Sequence, residues 1–324
     1  MSELMLQALL VLWIVCALLI LFAQRAYRLV LYFGVFSLIT SAAYLFLGAP
    51  DVAMAEAGIS AFATIFFIIC IERYHASRRG AQRTPITARA EPEERPRSVR
   101  PTIHIVAALL FTAGLFALFV YFVPTGPAST YLKDQYLSMF MADVGGQNAV
   151  TAIYLGYRVY DTLFEALILV VSVVAVAHMS WYSGETVSDG QHSEIENSGM
   201  AIFTMRIICP LILIFGVYLI MNGHVSAGGG FQGGLAVASF FICRYMIYNV
   251  YDIPVQRVMK MEELVFISII VVAALAVFLG ATAFVYIPQA VYLVAMNVLI
   301  GLKVTCGFFI LFYRHITIER LPGR

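Results

Sequence analysis

The feature that most limits what this 324-residue chain can become is the recurrence of long runs almost free of charge. A helix that crosses a hydrocarbon layer needs roughly 20 apolar residues in a row. Nine stretches meet that need, at residues 4–23, 29–47, 52–71, 102–122, 162–180, 199–221, 230–248, 264–286 and 291–316. Only 12% of the residues are charged, where a water-soluble domain carries about a quarter. In lipid a backbone must satisfy its own polar groups, which restricts such runs to helices. The sequence therefore predicts an all-α integral membrane protein with about nine transmembrane helices. A further stretch, 147–161, reads as a membrane-surface or re-entrant helix.

Lysine and arginine set the orientation. With the N-terminus outside, the inner face collects Arg25, Arg28, the cluster from Arg73 to Arg100, Arg206, Arg244, Arg257, Lys260, Arg314, Arg320 and Arg324. Lys133 and Arg158 are left outside, and the C-terminus is cytoplasmic. The first run lacks the basic lead and small-residue cleavage site of a signal peptide, so it reads as a retained helix. Two polar stretches divide the chain. Residues 73–100 form a basic cytoplasmic linker able to touch anionic headgroups, and 182–197 form an acidic, turn-rich one. They separate a three-helix module (1–72), a two-helix module with the surface or re-entrant helix (101–181) and a four-helix domain (198–324).

Between the sixth and seventh runs lies NGHVSAGGGFQGG, residues 222–234. It holds Gly228, Gly229, Gly230, Gly233 and Gly234, together with His224 and Gln232. Glycine tolerates positive φ and lets another backbone approach closely. Irregular backbone at membrane depth persists only where protein or a wet cavity covers it. The stretch is thus either a packed turn or part of an ion path. His224 reads as a hydrogen-bonding anchor or, because histidine titrates near neutrality, as a gate. Gln232 reads as a group that satisfies freed backbone.

This string resembles the signature loop of the B subunit of multisubunit sodium/proton antiporters of the Mrp (Mnh) type, and of related membrane subunits of energy-converting hydrogenases. The family usually carries proline where this chain has Ala227. FGVFSLITSAAYLFLGAPDVAMAEAGISAFATIFFI, with Ala49-Pro50-Asp51 and Glu56 at its centre, resembles the small three-helix subunit of membrane-bound hydrogenases. That module also forms part of the C-terminal extension of the large Mrp A subunit. Asn148-Ala149-Val150 and YRVYDTLFEA resemble the next piece of the same extension, with Tyr157 and Tyr160 where the family usually has aspartate and phenylalanine. The resemblance implies a fusion of pieces that are often separate chains.

Ionisable residues inside a membrane are costly and point to function. Asp51 follows Pro50 at the start of the third run, where its carboxylate is placed to cap the helix. Glu56 lies too far in to cap and reads as an ion or proton group. Five residues apart, the two fall on different helix faces. Arg158, Asp161 and Glu165 share a face if helix runs unbroken through them. They form either a structural salt-bridge cluster or, with Arg158 repelling cations, part of a transport path. Lys303 lies mid-span in the last run, too deep to snorkel. Desolvation favours a neutral amine, so such a lysine can take up and release a proton. The alternative is a lysine held by a carboxylate of a neighbouring subunit.

Cys16, Cys70, Cys209, Cys243 and Cys306 stand singly and read as small buried hydrophobes. His75, His104, His178, His192 and His315 show no ligand spacing, so neither metal nor cofactor is expected. No phosphate loop, dinucleotide fingerprint or nucleophile elbow occurs, and no basic stripe suggests nucleic acid. The expectation is a non-enzymatic, multi-pass subunit of a sodium/proton antiporter in the inner (cytoplasmic) cell membrane. Its implied partners are other antiporter subunits, including large antiporter-like ones, along with membrane lipid, sodium ion and proton. The same architecture in a redox-driven complex, such as a membrane-bound hydrogenase or sulfane-sulfur reductase, and a stand-alone channel or scaffold are the alternatives.

Overall fold

A computed structural model describes residues 2–81, 101–122, 130–181, 199–248, 254–283 and 288–318. Among them the chain is all helix: α1 (Ser2–Leu21), α2 (Ala26–Phe46), α3 (Pro50–Ala81), α4 (Pro101–Phe122), α5 (Tyr131–Val144), α6 (Ala149–Ala152), a π-helical segment (Ile153–Tyr157), α7 (Val159–Trp181), α8 (Gly199–Asn222), α9 (Gly230–Tyr248), α10 (Val255–Ala283) and α11 (Gln289–Ile318). Seven helices are long and apolar enough, among the described residues, to cross a membrane: α1, α2, α3, α7, α8, α10 and α11.

That count is seven where the sequence reading expects nine, α4 and α9 not being among them, and two further findings differ from it. Helix α5 was not anticipated, because its residues are mostly polar or exposed and carry no long apolar run. It stops at Gly145, whose φ of 76° is the left-handed conformation that ends helices. Helix α3 continues to Ala81, past the end of its apolar run at residue 71. The rest of the basic stretch, and the acidic one, lie outside the described residues.

The core is built around α11. Leu293, Met296, Ile300 and Val304 on α11 are buried against Leu235 of α9, Val265 and Ile269 of α10, and Leu155 and Val159. Helix α9 packs closely on both α8 and α11, and its glycines explain how. Gly230 and Gly234 are four apart and face α11. A Cβ added at Gly230 would lie 2.5 Å from the carbonyl oxygen of Asn297, and one at Gly234 would lie 2.5 Å from that of Gly301. Gly233, on another face, touches α8, where its added Cβ would lie 2.6 Å from the Gly216 carbonyl oxygen. Lipid tails are as apolar as leucine, so helices in a membrane gain from close backbone packing at small residues rather than from hydrophobic burial. Thr305 clamps the seam, its hydroxyl lying 2.9 Å from the Gly234 carbonyl and 2.8 Å from that of Gly301.

The first three helices follow one another as neighbours, and α3 lies against α9 and α11. There Phe62 meets Phe308 edge-on at 4.6 Å between ring centroids, and Leu235 fills the space over Gly58.

Replacing Gly234 by leucine is expected to force α9 and α11 apart, costing about 1–3 kcal/mol or more, the usual scale of overpacking. Gly114→Ala on α4, where an added Cβ meets nothing within 4 Å, is expected to be neutral or mildly stabilising. Thermal unfolding of the detergent-solubilised protein compares the two.

Candidate functional site

Between α8 and α9 the chain leaves helical geometry, and its freed polar groups gather a buried network. Gly228 and Gly229 take φ of 146° and 155°, outside what a residue with a Cβ readily adopts. The N–H of Gly228 donates to Asp51 Oδ1 at 2.9 Å, and that of Gly230 to Asn297 Oδ1 at 3.0 Å. Asn148 caps α6 by accepting from the Val150 N–H at 3.0 Å. Its side-chain amide reaches Asp51 Oδ1 at 3.2 Å, the Gly223 carbonyl at 3.1 Å and the Ser226 carbonyl at 2.9 Å. The Thr151 hydroxyl donates to the Gly223 carbonyl at 2.6 Å. Having one hydrogen, it leaves Tyr154 to donate its own to Asn297 Oδ1 at 2.9 Å. Asp51, Asn148, Thr151 and Asn297 are all buried. One knot thus draws on α3, on the α6 region, on the glycine-rich turn and on α11.

Asp51 does not cap α3. The helix begins one residue earlier, at Pro50, whose missing N–H and fixed φ suit a first helical position. The Ala53 N–H is satisfied by the Ala49 carbonyl at 3.0 Å, so the Asp51 side chain is released toward the turn. Gln232 stands with its side-chain amide nitrogen 3.5 Å from the Asp51 carbonyl oxygen of α3. His224 works mainly through its backbone, its carbonyl accepting from the N–H groups of Gln147 at 2.9 Å and Asn148 at 3.1 Å. Its ring Nδ1 lies 3.1 Å from the Met221 carbonyl.

The remaining charges fall in separate places. Glu56 is half-buried and accepts from the Ser37 hydroxyl of α2, away from Asp51, as different faces require. Arg158, Asp161 and Glu165 do not lie on one continuous helix. The π-helical segment ends at Arg158, whose φ of −122° and ψ of 37° break the spiral before α7 starts. Arg158 Nη2 still meets Asp161 Oδ2 at 2.5 Å, with both side chains more than half exposed, at 61% and 55%. Glu165 is exposed one turn further along α7, outside that pair. Among the described residues no hydrogen bond or ion pair joins Glu56, Glu165 and Lys303 to one another.

Lys303 is wholly enclosed, at 0% exposure, and so is its partner, Glu262 of α10, at 2%. The ammonium contacts Glu262 Oε1 directly. It also lies 5.3 Å from the centroid of the Phe266 ring, one turn on from Glu262. The carboxylate that meets Lys303 belongs to this chain. Glu262 escaped the sequence reading because it lies two residues before the apolar run that begins at 264. The demand of a buried lysine for an anion was the available signal, and Glu262 and Glu263 the nearest suppliers on the preceding helix. Among the described residues, no cluster of three or more acidic, cysteine or histidine side chains could hold a metal ion.

Comparison with known proteins places these groups in context. Residues 200–313 match the family described as a domain related to the MnhB subunit of Na+/H+ antiporters, and residues 11–76 match the MbhD family of MBH subunits. Over 233 residues the chain is 24% identical to a probable K(+)/H(+) antiporter A/B subunit of Rhizobium meliloti, covering 64% of this chain but only 22% of that protein. The fold is similar to part of the Mrp complex from Dietzia sp. DQ12-45-1b, with a TM-score of 0.71 and 19% identity, over 98% of this chain and 35% of that one. It is also similar to a chain of an archaeal membrane-bound sulfane sulfur reductase, with a TM-score of 0.56 and 23% identity, over 67% of this chain and 98% of that one. The chain thus has seven helices long and apolar enough to cross a membrane among its described residues, and in two of its segments it is similar to subunits of Mrp-type antiporters and of MBH, while spanning about a fifth of the length of the antiporter A/B subunit it matches.

The knot makes a distinction between charge and geometry testable. Asp51→Ala strands the Gly228 N–H without its acceptor, at about 1–3 kcal/mol for the buried group, while the Asn148 amide keeps the Gly223 and Ser226 carbonyls. Asp51→Asn keeps an oxygen there. The alanine variant is expected to melt clearly below the asparagine variant in detergent, and equal losses would mean that the negative charge itself is what the knot requires.

Proposed function

We propose that this chain, an MbhD-like module continued into an MnhB-related domain, serves as a membrane subunit of a multisubunit cation/proton antiporter. The observation that carries the reading is the wholly buried Lys303–Glu262 pair, which falls inside the MnhB-related segment. Ionisable groups kept in an apolar interior are costly, and where they are retained they mark ion or proton routes. The role is one of transport rather than catalysis. Large antiporter-like subunits would be separate chains, joined by this one.

Three modules, 1–72, 101–181 and 198–324, are proposed to contribute nine spans in all. The N-terminus would lie outside and the C-terminus in the cytoplasm, as the distribution of arginine and lysine supports. Within this arrangement Glu56, Glu165 and Lys303 are the proposed ion- or proton-handling groups. Asp161 and Arg158 form a pair at the end of the broken helix, and Asp51, Gln232 and the glycines hold the turn in shape. Sodium is the proposed counter-cation of the proton. The likeness to a sulfane sulfur reductase chain favours one second reading, the same architecture serving a redox-driven pump.

Purification from native membranes in mild detergent, with co-purifying chains identified, separates these readings. Large antiporter-like subunits without iron–sulfur proteins are expected; iron–sulfur or hydrogenase-like subunits would select the redox-driven reading, and a lone chain would overturn both. Within the assembled complex, Glu56→Gln and Glu165→Gln are expected to abolish coupled sodium/proton exchange in vesicles while subunit recovery is unchanged. A loss of subunits instead would assign those residues to assembly.

A further inference from the structure

The pair formed by Lys303 and Glu262 is unusual in what it lacks. Two charges removed from water each carry a desolvation penalty of several kcal/mol, and their mutual attraction offsets it only when other hydrogen bonds satisfy the remaining protons and lone pairs. Among the described residues no hydrogen bond reaches Lys303 Nζ or Glu262 Oε1 beyond their own contact. Phe266 offers the ammonium a ring face, an attraction weaker than a hydrogen-bonded anion. Along α11 from Ile300 to Gly307 every residue but Leu302 is buried, and none carries a second carboxylate. The Glu262 contact and the Phe266 ring face are thus what holds the ammonium charged, with no hydrogen bond added at Lys303 Nζ or Glu262 Oε1.

We propose that Glu262 is the internal proton acceptor of Lys303, the two interconverting between an ion pair and a neutral amine–carboxylic acid pair by transfer of one proton along their contact. In the step an N–H bond of the Lys303 ammonium breaks and an O–H bond forms on Glu262 Oε1. The nitrogen keeps the electron pair. Net charge does not change, so the interior need admit neither an ion nor water for the step to occur. The neutral form escapes the desolvation penalty of both charges, which is why it competes at this site and not at the exposed Arg158–Asp161 pair, where solvent or headgroups stabilise ions. The exchange would let α10 and α11 hold a proton on either helix, and its use in transport rests on the antiporter reading above.

Infrared spectroscopy of the purified full-length protein tests this directly. A protonated carboxylic acid has a C=O stretching band distinct from that of a carboxylate and sensitive to deuterium exchange. The wild type is expected to show such a band that Glu262→Gln removes. If the single variant does not fold, Glu262→Gln combined with Lys303→Met, which leaves no buried charge, supplies the comparison and is expected to lose the same band. A wild-type spectrum from which neither variant removes any carboxylic acid band would overturn the proposal, fixing the pair as permanent ions. In the assembled complex the double variant is expected to slow coupled exchange about 100-fold or more, the scale of a lost proton-transfer group, while keeping its subunits. Full transport by the double variant would show the pair to be structural and overturn the assignment. A band present in a chain that co-purifies with no antiporter subunits would leave the exchange standing and remove only its use in antiport.

Discussion

A polar backbone group left without a partner in an apolar interior costs as much as a lost hydrogen bond, and the glycine-rich turn exposes several at once. Everything around it follows from meeting that demand. The turn departs from helix at Gly228 and Gly229, so its N–H groups and carbonyls need acceptors and donors from elsewhere. Asp51 and Asn297 supply acceptors, and Asn148 and Thr151 supply donors. Because these four come from distant parts of the sequence, satisfying one turn also fixes how the separate helical groups sit together. Asn148 shows this best, its oxygen starting one helix while its nitrogen closes another's end.

The charges obey a different logic. Arg158 and Asp161 pair where the chain is exposed, and such a contact contributes little to folding. Lys303 and Glu262 meet where the chain is sealed, and there a lone charge would be intolerable. Helix α11 carries both the amide that joins the knot, Asn297, and the lysine that joins α10. The glycine seam with α9 runs along the same stretch, from the Asn297 carbonyl through Gly301 to Thr305. The polar knot, the seam and the charge pair are therefore stations along one helix, held in fixed register by it.

Much of the fold was legible because length and apolarity are sufficient to mark a spanning helix, and each apolar run coincides largely with a helix. Helix α5 was not legible, since it is short and Lys133, Asp134, Gln135 and Ser138 interrupt its apolar residues before any long run forms. The pairing around Lys303 was half legible. A lysine amid NVLIGLKVTCGFF announces itself, but a glutamate at the edge of an apolar run looks like an interfacial residue until helix α10 is seen to begin at Val255. Whether helix runs unbroken through Arg158 was not decidable from periodicity, because a π-helical turn preserves the helical appearance of a sequence while shifting its phase. The knot was hidden for the opposite reason. Asparagine, threonine and tyrosine in a surface-like segment carry no pattern that names their distant partners.

The seam between α9 and α11 has a consequence for what can pass between those two helices. At Gly230 and again at Gly234 the two backbones come so near that a single methyl group has no room, and the Thr305 hydroxyl fills the turn beyond. A hydrated cation is larger than the space a methyl group is denied, and the carbonyls that could strip its water are already engaged within the packed helices. This boundary is a dam, not a channel. The closest-packed part of the molecule is solid where these glycines lie, and α9 and α11 meet there as one wall and not as two.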